Sequence, residues 1–297
     1  MADGCEVVGV DCFTDYYGAA VKEANVAPLA GNTRFKLVRA DLAEADLAPL
    51  VDGIDYIFHQ AGQPGVRRSW GRSFEPYVRC NVLATQRLLE AARAADSVLR
   101  FVYASSSSIY GNAVALPVSE RDLPRPVSPY GVTKLAGEHL TTLYAELGLQ
   151  AVSLRYFTVY GPRQRPDMAF NIFIHALLEG REIHVNGDGE QTRDFTFIAD
   201  AVDANIAAAT APATSTAGRS FNIGGGSRVT LNHAIHVLED IAGKRAQVVY
   251  GPPQPGDARD TYADTSAARA DLGFTPRWTL ADGLRSQVEW MATSLPR

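Results

Sequence analysis

A tyrosine and a lysine spaced four residues apart are the first groups in this sequence that could do chemistry. Tyr130 and Lys134 follow Ser128-Pro129, a pair typical of the start of a helix. Four residues make about one helical turn, so both side chains lie on one face of such a helix. A cation one turn away lowers the pKa of a phenol, which makes Tyr130 a candidate proton acceptor near neutral pH.

Four consecutive serines form a second polar cluster upstream of this pair. Ser105 to Ser108 follow the apolar run Phe101-Val-Tyr-Ala, which is typical of a buried parallel strand. The carboxyl ends of parallel strands form the ligand crevices of α/β proteins. Serines that only bond the backbone of a turn are the alternative for an isolated run. The two motifs together, in this order, favour a ligand site.

Short β-branched runs alternate with Ala- and Leu-rich amphipathic stretches, and these are the elements that must position the two motifs. Repeated units of this kind predict a doubly wound α/β fold with a parallel sheet. The predicted strands are Val7 to Val10, Phe35 to Arg39, Tyr56 to His59, Phe101 to Ala104 and Ala151 to Tyr156. Helical periodicity predicts one apolar face in 81–95 (Val82, Thr85, Leu88, Leu89, Ala92) and another in 130–147 (Leu135, Ala136, Leu140, Leu143, Leu147).

Composition limits the class of protein. The 297 residues are 46% hydrophobic and carry a formal charge of −5, which excludes disordered and collagen-like chains and makes a dedicated nucleic-acid binder unexpected. Cys5, Cys12 and Cys80 form neither a disulfide framework nor a metal knuckle, so no metal site is predicted. No apolar run reaches the roughly 18 residues of a membrane span. We therefore expect a cytoplasmic protein without membrane contact.

Further motifs resemble the extended short-chain dehydrogenase/reductases, specifically the NAD-dependent nucleotide-sugar epimerases and dehydratases. The resemblance covers nearly the whole chain and implies a Rossmann-like NAD-binding domain in 1–165, with a segment returning near 194–223, and a smaller α/β lobe in 166–297 that mainly binds nucleotide sugar. It also implies a homodimer. Its residues are Asp11, Ala40-Asp41-Leu42, His59-Gln60-Ala61-Gly62, Asn81, Ser105 to Gly111, Tyr130 with Lys134, Arg155 to Pro162, Arg193-Asp194-Phe195 and Pro255-Gly256-Asp257.

The resemblance assigns the cofactor contacts. Asp11, at the end of a strand, is expected to bind the adenosine ribose hydroxyls, and its charge favours NAD because it would repel the 2′-phosphate of NADP. Lys134 is expected to bond the nicotinamide ribose in addition to tuning Tyr130. The other implied contacts are Asp41 and Leu42 at the adenine, Ala61 and Gly62 at the pyrophosphate and ribose, and Asn81 and Tyr156.

Two serines narrow the reaction. Dehydratases of this family have an Asp-Glu pair, and decarboxylases the Glu, where this chain has Ser107 and Ser108. A hydroxyl cannot act as the carboxyl acid or base that elimination requires. The remaining reaction is 4-epimerisation through a 4-keto sugar, in which Tyr130, helped by Ser106, moves the 4-hydroxyl proton.

Residues around Gly161-Pro162 indicate the sugar. Thr158 followed seven residues later by Arg165 is similar to UDP-glucuronate 4-epimerases, and a ring of Ser106, Ser107, Ser108 and Thr158 could hold the C6 carboxylate. UDP-glucose or its N-acetyl analogue remains an alternative substrate. By resemblance, Arg193 and Arg259 bind the UDP diphosphate and Asp257 lies near the uridine ribose, while Arg165 is either another phosphate ligand or a gate near the sugar.

An absence leaves another class of function open. Members of the family begin with a strand and a Gly-x-x-Gly-x-x-Gly turn that holds the NAD pyrophosphate, and no such turn precedes Asp11. We therefore expect the opening strand, turn and helix, roughly 20 to 25 residues, to be missing from this sequence. A truncated, catalytically silent nucleotide-binding relative is the resulting alternative.

Overall fold

The computed structural model describes residues 4–294. Its strands are β1 Val7–Asp11, β2 Phe35–Arg39, β3 Tyr56–His59, β4 Arg100–Ser106, β5 Ala151–Tyr156, β6 Thr158–Tyr160, β7 Glu182–Asn186, β8 Thr192–Phe197, β9 Ser220–Ile223, β10 Arg228–Thr230 and β11 Gln247–Gly251. Its helices are α1 Ala19–Val26, α2 Ala48–Val51, α3 Glu75–Tyr77, α4 Ala84–Ala94, α5 Pro129–Glu146, α6 Ala169–Glu179, α7 Ile198–Thr210, α8 Ala213–Thr216, α9 Leu231–Ala242, α10 Ser266–Leu272 and α11 Leu280–Ser294.

Parallel strands form the larger half of the molecule, so the predicted Rossmann-like α/β fold is confirmed. The central sheet has the order β3-β4-β5-β9, and β1 pairs in parallel with β2. Within the described residues β1 has no strand partner besides β2, and β3 forms an edge of the central sheet. The five predicted strands are all present, with β1 and β4 longer by one and three residues than expected.

Both faces of the central sheet are covered because successive side chains of a strand point to opposite sides. Phe101 and Tyr103 of β4 pack with α4 and with Tyr144 of α5, whereas Val102 packs with α7 and α10. Strand β9 also pairs with β5, so the chain from α7 to β9 packs on the central sheet. The boundary at residue 165 stays a prediction.

The predicted apolar face of α5 is confirmed only in part: Leu135 and Leu140 pack against the core, but the end of the face does not. Leu143 and Leu147 are 49% and 58% exposed, and the helix instead buries small and polar residues, including Gly137 and Thr141. The reason is close packing, because a Cβ added at Gly137 would lie 2.1 Å from the hydroxyl of Tyr103 on β4. Larger side chains would force this helix away from the sheet. The face of α4 is confirmed, but its helix begins at Ala84 after a π-helical turn at Val78–Leu83.

A second hydrophobic core lies in the smaller half of the chain. Strand β7 pairs in parallel with β11, and β8 lies between β6 and the antiparallel β10. Ile183 and Val185 of β7 pack against apolar residues of α6, α9 and α11. This half of the structure provides the second wall of the cleft described below. In residues 4–294 no helix is both long and apolar enough to cross a membrane.

Candidate active site

A cleft of about 670 Å³ opens at the carboxyl ends of β1, β4 and β5. The structure brings nearly all predicted site residues to its wall, although they are distant in sequence. Arg259 is the exception, because it does not belong to the residues that line the cleft. The lining includes Asp11, Asp41, Leu42, Ala61, Gly62, Asn81, Ser106, Ser107, Ser108, Tyr130, Lys134, Tyr156, Thr158, Arg165, Arg193 and Asp257.

The start of α5 fixes the position of Tyr130. The hydroxyl of Ser128 caps the helix by accepting a hydrogen bond from the amide of Gly131 at 3.1 Å, and Pro129 occupies the first helical turn. A Cβ added at Gly131 would lie 2.7 Å from the carbonyl oxygen of Ser108, so the helix begins directly against the serine run. The sequence Ser-Pro-Tyr-Gly therefore places Tyr130 beside these serines.

Burial dominates the electrostatics of the Tyr130–Lys134 pair. It raises the pKa of Tyr130, while hydrogen bonding by Ser106 and the charge of Arg165 act in the opposite direction. It also lowers the pKa of Lys134 to about 8. The predicted lowering of the Tyr130 pKa by Lys134 is thus not what the structure shows. The Lys134 ammonium lies 4.7 Å from the ring centre of Tyr103, within cation–π distance.

The serines have different partners. Ser105 donates to Oε2 of Glu138 at 2.6 Å, and Glu138 forms a buried ion pair with Arg155. The hydroxyl of Ser106 accepts from the amide of Ser108 at 3.1 Å, which fixes the turn after β4. Ser106, Ser107 and Ser108 line the cleft together with Thr158, so the predicted set of hydroxyls is assembled in space.

Gly62 allows close approach to the floor of the cleft. A Cβ at this position would lie 2.8 Å from Oδ1 of Asn81 and 3.9 Å from Nζ of Lys134. Asn81 uses its amide within the protein, accepting from the amide of Gln63 at 2.7 Å and donating to the hydroxyl of Thr133 at 3.0 Å. Asn81 therefore supports the wall at residues 62–63 and also joins the wall to α5.

Two carboxylates line the cleft, Asp11 at the end of β1 and Asp41 just after β2. Oδ1 of Asp11 accepts from the amide of Phe13 at 2.6 Å. Asp41 forms an ion pair with Arg79 at 2.8 Å and also accepts from the amide of Ala43. Burial acts to raise the pKa of Asp41, but these hydrogen bonds and the charge of Arg79 together lower it. Both groups are therefore suited to accept hydrogen bonds as carboxylates.

Tyr156 lies at the end of β5 and does not resemble a proton-transfer group. Burial raises its pKa to about 12, against the opposing effect of its hydrogen bonds with Gln60 and Asn205. Its hydroxyl donates to Oδ1 of Asn205 at 2.9 Å and accepts from Gln60 at 3.2 Å. These bonds connect β3, β5 and α7 at the cleft.

Positive charge collects at the opposite end of the cleft. Arg193 is half-buried, burial lowers the pKa of its guanidinium, and it makes no ion pair within residues 4–294. Its Nη1 donates to the backbone carbonyl of Arg259 at 2.8 Å, whereas the side chain of Arg259 is 65% exposed and pairs with Asp188. Asp257 pairs with Arg67 at 2.7 Å. An uncompensated guanidinium in a cleft is typical of an anion site.

The sequence did not predict the roles of Asp167 and Tyr16, which lie next to Arg165 in the structure. Asp167 pairs with Arg165 through Nε at 2.9 Å, and the hydroxyl of Tyr16 donates to Asp167 at 3.1 Å. No local pattern marks either residue, because Tyr16 and Asp167 are 151 positions apart in the sequence.

A Rossmann-like parallel sheet with a Tyr-x-x-x-Lys pair at the carboxyl ends of its strands defines a short-chain dehydrogenase/reductase. Within that class, the chain belongs to the NAD dependent epimerase/dehydratase family, whose sequence profile matches residues 1–224. Both the resemblance and the fold expected from the sequence are thereby confirmed.

Several proteins named as UDP-sugar 4-epimerases are similar to this chain over almost its whole length. A UDP-glucuronic acid 4-epimerase from Bacillus cereus, solved with UDP-glucuronic acid and NAD, is 42% identical with a TM-score of 0.94, covering 98% of this chain and 92% of that one. UDP-glucuronate 4-epimerase 6 of Arabidopsis thaliana is 36% identical over 97% of this chain and 66% of its own length. A UDP-glucose 4-epimerase from Thermotoga maritima, solved with UDP-glucose, is 31% identical with a TM-score of 0.89, covering 99% of this chain and 93% of that one.

Proposed function

We propose that this protein interconverts UDP-glucuronate and UDP-galacturonate by NAD-dependent 4-epimerisation. The observation that carries the proposal is the group of hydroxyls from Ser106, Ser107, Ser108 and Thr158 in the same cleft as Tyr130. Positions 107 and 108 hold no carboxyl group that could catalyse elimination. Hydroxyl donors are suited to a sugar carboxylate, whereas carboxylates at the same positions would repel it.

The residues of the cleft fit NAD as the cofactor. Asp11 offers a carboxylate to ribose hydroxyls at the end of β1, and the bare Cα of Gly62 leaves room that a Cβ would fill. Asp41 and Leu42 lie at the adenine end, while Ala61, Asn81 and Tyr156 line the path toward Lys134. When bound, NAD accepts a hydride from a carbon that carries a hydroxyl and can return it.

Tyr130 moves the proton in this mechanism. Its hydroxyl takes the proton of the sugar 4-hydroxyl as C4 becomes a ketone, and gives it back when the alcohol re-forms with inverted configuration. Hydrogen bonding by Ser106 and the positive charge of Arg165 favour the phenolate, opposing the burial that raises the pKa of Tyr130. Lys134 lies one helical turn away and binds the cofactor ribose.

The hydroxyls of Ser107, Ser108 and Thr158 also protect the 4-keto intermediate. A 4-keto uronate is a β-keto acid and loses CO₂ readily when its C5–C6 bond stands across the plane of the ketone. Ser107, Ser108 and Thr158 hold the carboxylate so that this bond remains near the plane, which opposes decarboxylation. Arg193 binds the diphosphate and Asp257 lies at the uridine ribose, whereas Arg259 would have to leave its pair with Asp188 to reach the diphosphate.

UDP-glucose, or its N-acetyl analogue, is the second candidate substrate. The same four hydroxyls can hydrogen-bond a neutral C6 hydroxymethyl group. Arg165 supports the uronate because its Nη1, which makes no hydrogen bond within residues 4–294, can donate to a carboxylate although Nε and Nη2 pair with Asp167. A truncated, catalytically silent nucleotide-binding relative is the alternative from another functional class.

A substrate panel separates these possibilities. The purified protein is incubated with NAD and, separately, UDP-glucuronate, UDP-glucose and UDP-N-acetylglucosamine, and the products are identified by proton NMR. We expect UDP-galacturonate to form at least tenfold faster than either neutral epimer. Faster turnover of a neutral sugar would identify UDP-glucose or its N-acetyl analogue as the substrate. UDP binding without any turnover would identify the protein as a catalytically silent relative.

We also infer that the protein is a cytoplasmic homodimer. The observation in favour of the dimer is the apolar stripe of α5, which consists of Val132, Leu143 and the C-cap residue Leu147, each about half exposed or more. The exposed Leu83 precedes α4 on the adjacent helix. Pairing α4 and α5 with the same helices of a second copy would bury this stripe in a four-helix arrangement.

A further inference from the structure

A side-chain hydrogen bond joins two loops on opposite sides of the cleft. Residues 12–18 follow β1, next to Asp11, whereas residues 161–168 precede α6 and carry Arg165. The hydroxyl of Tyr16 donates to Oδ2 of Asp167 at 3.1 Å across 151 residues of sequence. The bond therefore connects the cofactor side of the cleft with its sugar side.

Asp167 transmits this contact to Arg165. It accepts from Nε of Arg165 at 2.9 Å through Oδ1 and from Nη2 at 3.1 Å through Oδ2, the oxygen that Tyr16 also bonds. The Arg165 guanidinium lies 5.9 Å from the centre of the Tyr16 ring. Tyr16 thus contacts both members of a two-point ion pair, in which the guanidinium has one orientation.

Tyr16 is itself held in place. The guanidinium of Arg68 lies 4.9 Å from the centre of its ring, and Nη1 of Arg68 donates to its backbone carbonyl at 3.2 Å. A Cβ added at Gly65 would lie 2.2 Å from the Tyr16 hydroxyl, and Gly65 has a φ of +99°. Burial and the nearby Asp167 raise the pKa of Tyr16 to about 12, so the phenol keeps its proton and remains a donor.

Backbone geometry singles out the same two loops. In residues 4–294 the non-glycine residues with positive φ are Phe13, at 51°, and Arg163, at 64°. One lies in the loop of Tyr16 and the other in the loop of Asp167. Left-handed conformations of such residues persist where the surrounding structure fixes them, and they concentrate at ligand sites.

We propose that Tyr16 is a positioning residue that acts through Asp167 to hold Arg165 against the sugar end of the bound sugar nucleotide. The inference rests on the proposed function for the identity of the ligand. Arg165 lines the cleft close enough to Tyr130 for its charge to act on the phenol, so it faces the reacting sugar rather than the distant uridine. Within the described chain Nη1 of Arg165 makes no hydrogen bond, which leaves its two hydrogens for the ligand.

The test is a Tyr16→Phe substitution, which removes a single hydroxyl. Dissociation constants of UDP-glucuronate and of UDP are measured by calorimetry on the NAD-loaded protein. We expect Tyr16→Phe to raise the dissociation constant of UDP-glucuronate about tenfold, because one hydrogen bond to a charged group is lost. The dissociation constant of UDP should change by less than about twofold. Tyr250→Phe is the matched control, because its hydroxyl bonds Asn232 at 3.0 Å on β11, outside the cleft.

A double-substitution cycle tests whether Tyr16 acts through Arg165. Arg165→Gln alone should raise the dissociation constant of UDP-glucuronate by tenfold or more. In the Arg165→Gln background, Tyr16→Phe should change this dissociation constant by less than about twofold. Asp167→Asn should reproduce the effect of Tyr16→Phe. Additive losses, or equal losses for UDP and UDP-glucuronate, would overturn the inference.

The two proposals fail in different ways. If the wild-type protein does not convert UDP-glucuronate, the proposed function is wrong. If the wild type converts it and Tyr16→Phe binds it as tightly as the wild type, only the positioning role is wrong. Thermal unfolding of each variant, expected within a few degrees of the wild type, separates loss of binding from loss of fold.

Discussion

At the residue scale, the proposed chemistry depends most on the hydroxyl of Tyr130. Replacing it by Phe leaves the ring, which packs edge-on against Tyr77 at 6.3 Å between ring centres, and removes only the proton-transfer group. We expect Tyr130→Phe to lower the rate of epimerisation by a factor of about 10² to 10⁴, as is usual for loss of a general acid–base group. Calorimetric affinity for UDP-glucuronate should change by less than about threefold. Retention of full activity would remove Tyr130 from the mechanism.

His59 links a buried side chain near the site to the pH dependence of stability. Its Nε2 lies 2.8 Å from the hydroxyl of Thr85, which itself donates to the carbonyl of Asn81, so Nε2 carries the proton. Nδ1 is buried and has no partner in residues 4–294. Burial, aided by the charge of Lys134, lowers the pKa of His59 to about 3.

The lowered pKa determines the sign of the effect. Unfolded chains protonate this histidine below about 6.5, while the folded protein does so only near 3, so stability falls with decreasing pH by about 1.4 kcal/mol per unit in that window. Asp194 has the opposite effect on stability between about pH 6 and pH 3.8, because burial raises its pKa to about 6. The difference between wild type and His59→Gln isolates the histidine. In urea unfolding we expect this difference to shrink by about 1.4 kcal/mol per unit from pH 6 to 4.5; a constant difference would contradict it.

At the element scale, helix α5 carries both site residues and packs unusually closely on the sheet. Gly137→Ala favours the helix by about 1 kcal/mol in isolation, yet its Cβ would lie 2.1 Å from the hydroxyl of Tyr103. We expect a net loss of about 1 to 3 kcal/mol in the free energy of unfolding. Activity should fall as well, because Tyr103 lies under Lys134. Gly18→Ala, with no atom within 4 Å of the new Cβ, is the control and should show only the smaller loss expected for alanine at the N-cap of α1.

The same helix explains which elements the sequence could predict. The strands of the central sheet were predictable because β-branched runs bury on both faces and few other structures accept them. The buried face of α5 was predictable only in part, since Leu143 and Leu147 follow the helical period but are exposed, while most fully buried residues of the helix are small or polar, such as Gly137 and Thr141. Apolar periodicity indicates a face that avoids water and does not identify what covers it.

The candidate site shows a similar division. Residues in recognisable motifs, such as Tyr130, Lys134 and the serines, were predictable from sequence and lie in the cleft wall. The contact of Tyr16 with Asp167 was not, because it joins residues separated by 151 positions and exists only after both halves of the chain have folded. The exposed side chain of Arg259 likewise depends on its pairing with Asp188, which no local pattern indicates.

At the scale of the whole molecule, the exposed stripe of α5 predicts how two copies associate. Leu143→Glu places a charge in the centre of the proposed interface, where its burial would be strongly unfavourable. We expect the wild type to sediment as a dimer in analytical ultracentrifugation and the variant as a monomer at the same concentration. Ile172→Glu, on the exposed face of α6 and 45% exposed, should remain dimeric. A monomeric wild type, or a dimeric Leu143→Glu variant, would exclude this interface.

The whole cleft serves one purpose in this account, which is to oxidise and reduce the same carbon without releasing the sugar. The most direct test is conversion of UDP-glucuronate carrying deuterium at C4, with NAD in ordinary water, followed by NMR of the product. We expect UDP-galacturonate that retains the deuterium at C4, because the label leaves and returns within one cleft. Product in which C4 carries hydrogen from the solvent would contradict it.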